Sequence, residues 1–243
     1  MNDFLLVVGI SLVAALLTWL GAPAAERLNV PPGVVSGALQ FASGIIAALV
    51  ALTLMPPAVQ FGSGALVALA FFAGGALFVS FDYYTASRAA QKPGSEGSVL
   101  SLGLYVGILV DLVIDGIVIG IGSTLTVATG LLVALGLAVS TMPLAFVTIA
   151  TAKRQGLPYA TRRRLSWLFI VCIMGGAILG FLVLRNMPLG VRAGLVALAS
   201  GFLVTTVTQS MIPEANRDGE PSLAGILFVG GMSLYGLLTL YFK

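Results

Sequence analysis

The stretch "LVDLVIDGIVIG", residues 109–120, sets two aspartates in an otherwise apolar run. Asp111 and Asp115 are four positions apart, so on a helix they share one face. A carboxylate at mid-bilayer costs about 2.5–3.5 kcal/mol on insertion scales. Two of them one turn apart also repel each other. Such a pair calls for a proton, a cation or a water-filled path beside it.

The rest of the chain makes a membrane setting the natural one. Of 243 residues, 58% are hydrophobic and 9% charged, with mean hydropathy +1.07. A soluble domain carries about 25% charged residues. A helix needs about 20 apolar residues to cross the hydrocarbon. That rule places eight spans near residues 3–23, 34–56, 62–81, 99–122, 125–152, 165–185, 189–213 and 222–242. The expected fold is an all-α integral membrane protein with eight transmembrane helices, forming one domain over residues 1–243. The N-terminal run lacks Lys and Arg in its first residues and carries Asp3. It therefore reads as a retained first span rather than a signal peptide.

The charges give the orientation. With both termini outside, the inner loops hold Arg27, Arg88, Lys92, Lys153, Arg154, Arg162, Arg163, Arg164 and Arg217, leaving Arg185, Arg192 and Lys243 outside. The positive-inside rule favours this arrangement in the cytoplasmic membrane. The segment "AKRQGLPYATRRR" then serves as a topology anchor, and "ASRAAQKPGSEGS" (86–98) is a short inner loop. With the basic residues explained this way, no nucleic-acid partner is expected. Cys172 is the one cysteine, so no intramolecular disulfide forms.

Span 2, "FASGIIAALVALTLMPPAV", resembles span 7, "LASGFLVTTVTQSMIPEAN". Gly44 is spaced from Pro56 as Gly201 is from Pro213, and Ala58 corresponds to Ala215. "FFAGGAL" in span 3 resembles "LFVGGMS" in span 8. Residues 1–81 thus read as one copy and 165–243 as another. The copies start on opposite sides, giving an inverted repeat in a 3+2+3 arrangement around a central pair of spans at residues 99–152.

That central pair holds the candidate chemistry. All acids other than Asp111 and Asp115 fall in loops or at span ends. Span 5 adds "AVSTMPLAF", where Pro143 removes a helical partner from the Val139 carbonyl. That carbonyl and the hydroxyls of Ser140 and Thr141 would form a set of neutral oxygens. Thr205, Thr206, Thr208, Gln209 and Ser210 bring further polar groups into span 7. Oxygen ligands suit hard cations or a proton relay.

Eight spans with this symmetry, and polar residues in spans 4 and 5, resemble the ZIP family of divalent-metal transporters. The fourth span of that family typically reads His-Asn-x-x-Asp/Glu-Gly. Here "DLVIDG" has Asp111 at the histidine, Leu112 at the asparagine and a matching Asp115-Gly116. The fifth reads His-Glu-x-Pro-Glu-Gly. Here "STMPLA" keeps Pro143, with Ser140 and Thr141 at the first two ligands, Leu144 at the second acid and Ala145 at the glycine. In span 7, "QSMIPEA" keeps Pro213, Glu214 and Ala215, with Gln209 and Ser210 at the acids. In span 2, "LMPPA" stands where the family often has Leu-Pro-Glu-Ala.

The resemblance implies an elevator-like or rocking carrier, often dimeric, that moves a divalent metal. The expected cation site is Asp111 and Asp115, assisted by Ser140, Thr141 and Gln209. Zinc favours imidazole, thiolate and carboxylate ligands. A chain with no histidine points instead to manganese, magnesium or a proton-coupled cargo. The rival expectation is a ZIP scaffold that has lost metal transport and serves as a structural partner or sensor. An intramembrane aspartyl protease would need its acids on two helices, so no enzyme activity and no resident cofactor are expected.

Overall fold

The computed structural model describes residues 2–28, 30–90, 99–217 and 223–241, with side chains described outside 2–3, 85–104 and 106. Lys92, Glu96, Asp218, Glu220, Lys243 and the side chains of Asp3 and Arg88 lie outside the described residues, as does most of the 86–98 loop. The described residues contain no strand. They form α1 (Asn2–Arg27), α2 (Pro32–Leu49), α3 (Met55–Phe61), α4 (Gly64–Ala90), α5 (Val99–Leu125), α6 (Val127–Arg154), α7 (Tyr159–Leu184), α8 (Leu189–Thr206), α9 (Ile212–Ala215) and α10 (Ala224–Tyr241). π-helical turns at Val50–Leu54 and Val207–Met211 join α2 to α3 and α8 to α9. Counted this way, 8 stretches are long and apolar enough to cross a membrane. Spans 4 and 5 are α5 and α6. They separate within the uncharged "GSTLTVATG" because Thr126 caps α6, its Oγ1 accepting the Thr129 N–H at 3.0 Å.

Both π turns have a local cause. Pro56 and Pro213 lack an N–H, and a proline ring crowds the carbonyl four residues earlier. Just ahead of each proline the ladder widens. The Met55 N–H reaches back to the Val50 carbonyl, and the Ile212 N–H to the Val207 carbonyl. Helix lengths also agree between the two ends of the chain. α1 and α7 each have 26 residues, α2 and α8 each have 18, and each π turn has 5.

Packing divides the helices into two groups. One contains α1, α5, α6 and α7; the other pairs α2 with α10 and α4 with α8. Within each group, glycines let backbones meet. A Cβ on Gly44 would strike the Phe228 carbonyl, and one on Gly231 the Phe41 carbonyl. Gly74 and Gly201 stand in the same relation to the carbonyls of Leu198 and Phe71. At the α5–α7 crossing, Gly116 faces the Ile173 carbonyl and Gly176 the Val113 carbonyl. Such close approach gains dispersion and Cα–H···O contacts, which hold helices together where lipid supplies no hydrophobic drive.

Between the groups, α2 packs on α6 and α4 on α5, and side chains add specific contacts. Tyr235 of α10 is 0% exposed and seats its ring beside Gly136 of α6. Its hydroxyl lies 3.3 Å from the Leu132 carbonyl and 2.9 Å from Thr53 Oγ1. Arg192 of α8 donates to the carbonyls of Met187, Thr124 and Arg185 at 2.8, 3.2 and 3.0 Å. It thereby satisfies free carbonyls at the C-terminal ends of α5 and α7. Within the first group, at the opposite end, Glu26 accepts from Arg162 Nε at 2.5 Å. Lys153 donates to the Glu26 carbonyl at 3.0 Å, and Arg162 donates to the Leu157 carbonyl. These contacts tie α1, α6 and α7 together.

Candidate functional site

Asp111 and Asp115 project from the middle of α5 and are 8% and 2% exposed. The helix is positioned by Gly116 and Gly120, which press it against α7. Asp111 faces the second helix group. Its Oδ1 lies 3.3 Å from Oγ1 of Thr206, the last residue of α8 before the π turn. The same hydroxyl lies 3.2 Å from the Phe202 carbonyl, so two acceptors share one proton. Asp115 Oδ2 is buried with no hydrogen-bond partner. A buried polar atom left unpaired is expensive, and a charged one more so. The α5 pair is therefore short of positive charge or donors.

The other expected ligands lie in different surroundings. Ser140 and Thr141 are both buried on α6, and both donate to the Leu137 carbonyl, at 2.9 and 2.7 Å. Thr141 Oγ1 also lies 2.7 Å from Thr18 Oγ1 on α1. Gln209 is exposed on the π turn. Among the described residues, no hydrogen bond joins Ser140, Thr141 or Gln209 to either aspartate. No group of three or more His, Cys, Asp or Glu side chains is placed there to hold a metal. A divalent ion at the α5 pair would have to complete its shell with hydroxyl, carbonyl or water oxygens, as hard cations do.

Thr206 is the polar contact that the sequence did not single out. It was one of several hydroxyl and amide residues in span 7. The usable signal is its mismatch with the first copy, where Leu49 occupies the corresponding place. Tyr235, which bonds across the groups, gave no such signal.

A cavity of about 500 Å³ opens between α1, α2, α6 and α9. Lys153, Arg154 and Arg217 line its mouth, Leu39 and Phe146 lie along its wall, and neither aspartate borders it.

No family model matches the chain, and no curated protein matches it. The class rests on the fold: eight apolar helices fit a multi-pass membrane protein.

Proposed function

We propose that this chain is a ZIP-like secondary carrier that moves a cation across the cytoplasmic membrane. Asp111 and Asp115 would form the core of its site. The observation that carries this reading is the unpartnered Asp115 Oδ2, buried one turn from a second carboxylate. Ionisable residues inside membrane spans are rare and mark ion or proton paths.

The inverted repeat belongs to the same reading. It is supported by the matched lengths of α1 and α7 and of α2 and α8, and by a π turn before the corresponding prolines. Further support comes from the reciprocal crossings of Gly44 with Phe228 and Gly201 with Phe71. α2 packs directly on α6, and α4 on α5, across the boundary between the two groups; a carrier of this kind would slide one group past the other along those contacts. Asp111 and Thr206 lie on opposite sides of that boundary. Both termini would lie outside, with the cavity between α1, α2, α6 and α9 opening inward. Dimerisation follows only from the resemblance to the family.

The preferred cargo is a hard divalent ion, manganese or magnesium. Titration calorimetry of the detergent-purified protein with Mn²⁺ tests this. One ion should bind per chain, and the heat should vanish in Asp115→Asn. Equal heats in both proteins would remove Asp115 from the site. A second reading, a ZIP scaffold without metal transport, is favoured by the commitment of Ser140 and Thr141 to the Leu137 carbonyl. It would give no Mn²⁺ heat in the native protein either.

A further inference from the structure

The cavity between α1, α2, α6 and α9 combines features that the carrier reading does not use. Its mouth carries three cationic side chains, Lys153, Arg154 and Arg217, against one carboxylate, Glu214, among the described lining. Lys153 gives a hydrogen bond to the Glu26 carbonyl, and the nearby Glu26 carboxylate is itself held by Arg162. Arg217 meets Glu214 at 3.4 Å on an exposed surface, where such a pair is weak. No ion pair holds Arg154 among the described residues. Deeper in, Leu39 and Phe146 make the wall apolar. The volume of about 500 Å³ is in the range of small-molecule sites.

We propose that this cavity binds a phosphate-bearing ligand, with the anion held by Lys153, Arg154 and Arg217. Guanidinium groups pair with phosphate oxygens two at a time, and an ammonium adds a point charge. The three cations lie at or just beyond helix ends, the depth of lipid headgroups, where basic pockets between helices take anionic lipids. The phosphate belongs either to such a headgroup, with its acyl chain along the apolar wall, or to a free phosphate entering from water. The proposal uses neither aspartate, so it stands or falls separately from the carrier reading.

Binding to the detergent-purified full chain tests it with three probes: dioctanoyl phosphatidylglycerol, dioctanoylglycerol and inorganic phosphate. Saturable binding of phosphatidylglycerol without phosphate binding identifies a lipid site; saturable phosphate binding identifies the free anion. Dioctanoylglycerol should not bind. Arg154→Ala and Arg217→Ala should each weaken binding about tenfold, the worth of one charge-assisted contact. Arg163→Ala, an exposed cation on α7 outside the lining, should leave it unchanged. Three results would overturn the proposal: saturation by neither phosphate probe, dioctanoylglycerol binding as tight as phosphatidylglycerol, or equal weakening by Arg163→Ala and Arg154→Ala.

Discussion

Asp115 holds a carboxylate oxygen out of water with nothing to bond it, a condition a fold keeps at a cost in stability. Replacing it with the isosteric Asn removes the charge and leaves the shape. Thermal unfolding of Asp115→Asn in detergent should therefore show a gain of about 1–3 kcal/mol, together with lost cation binding. A variant less stable than the native protein would mean that the carboxylate is structurally supported. At this scale the sequence was informative about the two aspartates, because charge amid apolar residues is visible without coordinates. It was less so about their neighbours. Thr206 and Gln209 are three apart and would share a face on a regular α-helix. The π turn that begins at Val207 changes that register, and Thr206 is buried while Gln209 is exposed. Pro213 served in the sequence as a marker of the repeat, and the widened turn ahead of it was not readable from it.

At the scale of elements, the spans were legible because bilayer thickness fixes their length. The eight expected segments overlap the eight observed ones; α5 starts at Val99, where span 4 was expected to start, while α7 starts several residues earlier than expected. α7 starts at Tyr159, ahead of its three arginines, because a helix continues through charged residues once they reach the interface. What the sequence did not reveal is which glycines touch which backbones. Gly116→Ala would drive a Cβ into the Ile173 carbonyl of α7, whereas Gly9→Ala meets open space. The first should lose about 1–3 kcal/mol to overpacking. The second should be neutral, or gain up to about 1 kcal/mol in helix propensity. Parallel thermal unfolding of the two variants checks the contrast, and equal effects would refute the close crossing of α5 and α7.

At the scale of the whole molecule, function depends on how the helices are oriented and what passes between them. The proposed orientation has Gly156, between α6 and α7, inside and Met187, between α7 and α8, outside. In a Cys172→Ser background, a cysteine at position 187 should react with a membrane-impermeant maleimide in intact cells. One at position 156 should react only after permeabilisation. The reverse pattern would invert the topology. Whether a cation visits the α5 pair on its way across is decided by Mn²⁺ uptake into proteoliposomes containing the native protein, Asp111→Asn or Asp115→Asn. The native protein should give saturable uptake well above empty vesicles, and each variant should fall to the level of empty vesicles. Uptake by either variant equal to that of the native protein would take that aspartate out of the transport path.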